Sequence, residues 1–92
     1  MKIAVRYMAQ LREAAGTNSE EVELPGACCI SSLLSRLADR HGDALRRLML
    51  NPEGKPQSTL LVFIGDEHAP ESGDLPIRDG STVTLLSPIA GG

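Results

Sequence analysis

Ile30-Ser31-Ser32-Leu33-Leu34-Ser35-Arg36-Leu37-Ala38-Asp39-Arg40-His41-Gly42 is the stretch whose reading decides the fold. Ile30, Leu33, Leu34, Leu37 and Ala38 recur at i, i+3, i+4, i+7 and i+8, a single apolar stripe along a helix. Ser31, Ser32, Ser35, Arg36, Asp39 and Arg40 take the opposite face. Such a helix buries one side and wets the other, so it lies across one face of something else. Cys29 or Ser31 suits its start and Gly42 its stop. His41 prolongs the stripe, where a lone histidine packs or complements the helix dipole. Asp43 is placed to cap a second short turn, with Leu45, Leu48 and Met49 inward and Arg46 and Arg47 solvated.

Strands flank this helix on both sides. Upstream, Ile3, Val5 and Tyr7 alternate with Lys2, Arg6 and Met8, the pattern of a half-buried strand. Ala9 to Ala15 has helical composition for about two turns and stops at Gly16. Val22 and Leu24 alternate with Glu21 and Glu23 in a second strand, closed by Pro25-Gly26. Downstream, Asn51 to Gln57 (Asn-Pro-Glu-Gly-Lys-Pro-Gln) is a loop. Leu60 to Ile64 is a continuous apolar run, read as a strand buried on both faces. After the turn at Gly65-Asp66-Glu67, a short strand around His68 and Ala69 precedes Pro70. Asp79-Gly80 turns the chain into a last strand, Thr82 to Leu86, and Pro88 has no N–H with which to continue it. The order predicts an α+β fold: a mixed sheet with one main helix across one face.

One helix covers one sheet face only. Leu60, Val62 and Ile64 point one way and Leu61 and Phe63 the other, while Leu86 faces opposite to Val83 and Leu85. Apolar side chains left on the open face predict a docked partner. The alternative is that the loop from Asn51 to Thr59 folds over them.

Composition narrows the function. The 92 residues carry nine Lys and Arg against twelve Asp and Glu, net −3. That is the wrong sign for a nucleic-acid or anionic-membrane binder. With one Tyr, one Phe and no Trp there is no platform for stacking bases, and the core falls to Leu, Ile, Val and Ala. Neither a membrane-spanning run nor a secretory leader pattern is present. Cys28 and Cys29 are adjacent, which does not make a disulfide framework and suits a reducing cytoplasm. No set of residues has metal-ligand spacing, so no metal is expected.

The enzyme inventory is nearly empty as well: no nucleophile elbow, no His-Glu-x-x-His and no dinucleotide-binding glycines. Gly54-Lys55 lacks the earlier glycine of a phosphate-binding loop and is followed by Pro56 rather than Ser or Thr. What stands out is the tail Ser87-Pro88-Ile89-Ala90-Gly91-Gly92. Without Cβ atoms, Gly91 and Gly92 can enter a narrow channel. The reactive group would be the α-carboxylate of Gly92, ionised at neutral pH and inert until activated, for instance as an acyl-adenylate. No bound cofactor is expected, so ATP would be used by an activating partner.

Val83-Thr84-Leu85-Leu86-Ser87-Pro88-Ile89-Ala90-Gly91-Gly92 resembles the C-terminus of the MoaD/ThiS-type ubiquitin-like sulfur carriers. Many of these end in Pro-Pro-Val-Ala-Gly-Gly or a close variant; here Ser87 replaces the first proline. Tyr7-Met8-Ala9-Gln10-Leu11-Arg12-Glu13-Ala14-Ala15-Gly16 is similar to the Phe-Ala-x-x-Arg-Glu-x-x-Gly segment of the molybdopterin synthase small subunit. Asp79-Gly80 matches the family's turn before the last strand. The likeness spans essentially the whole chain, and the tail is its specific element.

The resemblance implies a β-grasp domain over residues 1–86, an extended tail over residues 87–92, and a carrier rather than an enzyme. Gly92 would be adenylated by a ubiquitin-activating-type adenylyltransferase and converted to a thiocarboxylate by a sulfur donor system. Pro88, Ile89, Ala90 and Gly91 would hold the tail in a synthase large subunit or another sulfur-accepting enzyme. Tyr7, Phe63 and Leu86 are the expected partner-facing residues of the sheet. Molybdopterin formation is the leading destination of the sulfur. The alternatives are thiamine, cysteine or another sulfur metabolite, protein modification through Gly92, and a plain interaction module with an inert tail.

Overall fold

The computed structural model describes residues 1–26, 28–68 and 76–87, with only the backbone of Cys28 and Pro76. Its elements are β1 (Lys2–Tyr7), α1 (Gln10–Ala15), β2 (Ser19–Glu23), β3 (Cys28–Cys29), α2 (Ile30–His41), α3 (Asp43–Met49), β4 (Leu61–Ile64), β5 (Glu67–His68), β6 (Pro76–Ile77) and β7 (Thr82–Leu86). The main sheet has the order β2-β1-β7-β4-β5. β1 and β7 lie parallel at its centre, and the remaining pairings are antiparallel.

The stripe on α2 closes this sheet as its periodicity requires. Ile30, Leu33, Leu34, Leu37 and Ala38 are all at most 1% exposed. They pack with Ile3, Val5, Val22, Val62, Val83 and Leu85 in one core. α2 begins at Cys29 in extended conformation without a side-chain cap. It ends at Gly42, whose φ of 100° favours glycine. Gly42, not Asp43, precedes the first residue of α3, so Asp43 sits inside the first turn. Leu45 and Met49 of α3 are fully buried, and Leu48 packs partly against the core.

Two expectations are revised. β4 is not buried on both faces: Val62 is buried, whereas Leu61, Phe63 and Ile64 are half-buried. Nor do the hydrogen bonds of the loop after α3 carry it over the open face. The Gln57 N–H donates to Met49 O at 2.8 Å, and the Gln57 side chain donates to Arg47 O and Leu50 O. These bonds fasten the loop to the end of α3. A second, two-stranded sheet pairs Cys28 with Ile77 and Cys29 with Pro76. Two residues per strand leave no periodicity to read.

Ala9 is the non-glycine residue with positive φ among the described residues (φ 54°, ψ −128°). The Leu11 N–H donates to Met8 O at 3.1 Å, so Ala9 sits at the first central position of a tight turn that suits glycine. A Cβ there costs about 1–3 kcal/mol, partly offset by the greater freedom glycine has when unfolded. Ala9→Gly is therefore expected to stabilise the domain by about 1 kcal/mol, read as a higher melting temperature.

Candidate functional site

β7 carries the chain to its tail, and register defines the surroundings of its end. Tyr7 is paired with Leu85. The Met8 N–H then donates to Leu85 O at 3.0 Å. Ser87 follows and is buried at 7% exposure. Beside this exit lies a hollow of about 290 Å³ lined by Arg6, Tyr7, Met8, Arg12, Asn18 and Ser19. Met8, at 40%, is the exposed large apolar side chain among the described residues. Larger hollows lie elsewhere, about 420 Å³ between β2 and α2 and about 320 Å³ at the end of α3. Pro88, Ile89, Ala90, Gly91 and Gly92 lie outside the described residues.

The open face of the sheet is assembled by strand pairing. Leu61 lies opposite Leu86 and Phe63 opposite Thr84, and paired residues share a face. Leu61, Phe63 and Leu86, all half-buried, thus form one apolar strip. Beyond Phe63, His68 is its register partner, with ring centroids 5.2 Å apart. On β1 the same face carries Lys2, Ala4 and Arg6. Phe63 and Leu86 therefore sit on the uncovered side, as expected.

Tyr7 does not, and this corrects the sequence reading. Its side chain is 1% exposed, in the core beneath α2. The cause was visible in the alternation, because Tyr7 shares parity with Ile3 and Val5, the inward residues of β1. Its hydroxyl donates to Glu20 Oε2 at 2.6 Å, and its ring meets His41 edge-on at 5.7 Å. His41 Nε2 contacts the same Glu20 oxygen, and Arg40 Nε pairs with Glu20 Oε1 at 3.1 Å. One carboxylate thereby ties β2 to β1 and to the last turn of α2. Tyr7 and His41 are 13 and 21 residues from Glu20, and Arg40 adjoins His41, so no local motif announces the cluster.

Burial by itself would raise the Glu20 pKa. The hydrogen bonds from Tyr7 and His41 and the charges of His41 and Arg40 outweigh it and hold Glu20 below its ordinary value of 4.5. Burial first, then the bond to Glu20, pushes the Tyr7 hydroxyl well above its usual range. Because the Glu20 pKa is depressed on folding, its contribution to stability is complete above about pH 4.5 and is lost as pH falls through the lower folded value. Glu20→Gln should accordingly flatten the acid limb of a melting-temperature profile between about pH 5 and pH 3, while lowering stability at neutral pH.

At the start of α2, the Ser32 backbone N–H, then its hydroxyl, lowers the pKa of the Cys29 thiol. Cys29 Sγ lies 3.7 Å from Ser32 Oγ. Among the described residues, no three His, Cys, Asp or Glu are grouped to hold a metal ion. No helix among them is long and apolar enough to cross a membrane.

Comparison with known proteins places this geometry. Residues 5–92 match the model of the ThiS family, tail included. The molybdopterin synthase sulfur carrier subunit of Chlamydomonas reinhardtii is 28% identical over 92 residues, covering the whole of both chains. Among solved structures, SAMP1 from Haloferax volcanii superposes with a TM-score of 0.83 at 23% identity over all of both chains. A chain of the Amycolatopsis orientalis BexX/CysO complex gives 0.71 at 27% identity, covering 98% of this chain and 99% of its own. The fold is thus the ubiquitin-like β-grasp that the family resemblance implied.

Proposed function

Because the chain belongs to the ThiS family, we propose that it is a sulfur carrier whose reactive group is the C-terminal carboxylate of Gly92. The observation that carries this reading is the family match, which runs through the Gly91-Gly92 terminus. A carboxylate is ionised at neutral pH and resists attack, so it needs a leaving group. A carboxylate oxygen attacks the α-phosphorus of ATP on a ubiquitin-activating-type adenylyltransferase, and pyrophosphate leaves. A hydrosulfide-equivalent donor then attacks the acyl carbon, AMP leaves, and a thiocarboxylate remains. The chain itself contributes presentation rather than catalysis. Gly91 and Gly92 pass a narrow channel without Cβ atoms, and Pro88, Ile89 and Ala90 favour an extended approach.

The strip of Leu61, Phe63 and Leu86 is the surface proposed to meet the activating and accepting enzymes. It lies on the face opposite α2 and spans β4 and β7, the second of which leads into the tail. Molybdopterin formation is the proposed destination, supported by the full-length likeness to a molybdopterin synthase sulfur carrier subunit.

Mass measurement of the intact chain after incubation with ATP, a sulfur donor and cell extract tests the reading. Exchange of one terminal oxygen for sulfur is the expected product. A covalent adduct on other proteins would replace the carrier by a modifier, and an unchanged mass would leave an interaction module. The thiocarboxylated chain should then support molybdopterin formation with the large subunit of a molybdopterin synthase. Failure of that step alone redirects the sulfur to another pathway.

A further inference from the structure

The two edges of the main sheet differ. At one, β5 comprises two of the described residues, Glu67–His68. At the other, β2 runs five residues in unbroken register and, among the described residues, pairs with β1 alone. It contains no proline. The Tyr7 N–H donates to Asn18 O at 2.8 Å, and the Leu24 N–H donates to Met1 O at 2.7 Å, while the Met1 ammonium donates back to Leu24 O. Hydrogen-bonded pairs alternate along an antiparallel ladder, so the even-numbered residues of β2 turn their backbone groups toward β1. Ser19, Glu21 and Glu23 turn theirs outward. Ser19 O accepts from the Thr17 hydroxyl at 2.9 Å. The N–H groups of all three residues and the carbonyls of Glu21 and Glu23 form an outward row roughly 13 Å long.

The flanks of this row differ: the open sheet face is acidic, while the helix side is mixed, with Arg36 its cation without an ion pair among the described residues. On the open sheet face stand the exposed carboxylates of Glu21 and Glu23, with Ala4 and Lys2 as their cross-strand neighbours. Neither forms an ion pair among the described residues. On the helix side lies the hollow of about 420 Å³ lined by Val22, Glu23, Arg36, Leu37, Asp39 and Arg40. Arg40 is engaged by Glu20, whereas Arg36 is exposed and forms no ion pair among the described residues.

We propose that the β2 edge accepts an extended segment of a partner protein as an added strand, with basic side chains beside Glu21 and Glu23 and apolar-to-acidic ones toward Val22, Leu37 and Arg36. Backbone hydrogen bonds give such a complex its affinity, and the alternating side chains give its specificity. A second copy of this chain fits poorly. Antiparallel β2 against β2 sets glutamates against glutamates, and like charges across a ladder destabilise it. The same glutamates that keep copies apart leave the edge open to a strand of the opposite charge. β1 separates β2 from β7, so this surface is distinct from the strand leading to Gly92 and does not depend on the sulfur-carrier reading.

The test uses the full chain, 15N-labelled and titrated with the capped peptide Lys-Val-Lys-Val-Lys-Glu. Binding should shift the Ser19, Glu21 and Glu23 amides and slow their hydrogen exchange. A peptide with glutamate in place of each lysine should bind about tenfold more weakly. A double Glu21→Lys, Glu23→Lys variant, altered only at exposed positions, should reverse that preference. No response at these three amides at millimolar peptide would overturn the proposal. So would a response centred on Leu61, Phe63 and Leu86, or a concentration-dependent dimer protecting the same edge.

Discussion

Deletion of Gly92 is expected to abolish sulfur loading and leave the domain folded. The truncated chain still ends in a carboxylate, but one lying roughly 3.5 Å short of where the proposed activating enzyme would take it. A displacement of even about 1 Å at a reacting centre costs on the order of a hundredfold, so loading should fall below detection by mass measurement. The buried cluster of the described residues runs from Ile3 to Leu85, and a glycine has no side chain to add to it. Stability should therefore stay within about 0.5 kcal/mol of the intact chain. Blocking the Gly92 carboxyl as an amide should have the same effect without shortening anything. If the truncated or amidated chain still gained sulfur, the reactive group would lie elsewhere.

Tyr7→Ala and Phe63→Ala should separate the two aromatic residues by role. Tyr7 is 1% exposed and donates to Glu20, so its truncation opens a cavity and strips a partner from a part-buried carboxylate. The expected cost is about 3–5 kcal/mol, much of the roughly 5–15 kcal/mol that holds a domain together. In a domain of this length that is a fall in melting temperature of roughly 15 °C or more. Tyr7→Phe keeps the ring and should cost about 1 kcal/mol, which isolates the hydrogen bond. Phe63 lies half-buried on the open face. Its truncation should cost about 1 kcal/mol or less in stability while impairing engagement of the proposed activating enzyme. Equal melting temperatures for the two alanine variants would contradict the opposite placement of these rings.

The same pair shows how far the sequence could be read. Alternation along β1 placed Ile3, Val5 and Tyr7 on one face, and the helical stripe placed Ile30, Leu33, Leu34, Leu37 and Ala38 against it. All are buried. Assigning Tyr7 to a partner surface, with the other expectations drawn from the resemblance, ignored that parity. Phe63 and Leu86 were legible as outward residues because parity alone decides them. Their adjacency in one strip required the β4–β7 register, which pairs Leu61 with Leu86. The Glu20 cluster was not legible, since its members meet only after β2 pairs with β1 and α2 crosses both.

Periodicity and turn residues are local, so the sequence alone determined the order of the main-sheet strands and of α2, the helix stripe, the stop at Gly42 and the family-specific Gly91-Gly92 ending. Which side chains face one another across strands is a matter of register, set by closing the chain over long separations. Tertiary structure therefore decided that Tyr7 is a core residue bound to Glu20, that Leu61, Phe63 and Leu86 share one strip, and that the outward backbone groups of β2 border Glu21 and Glu23.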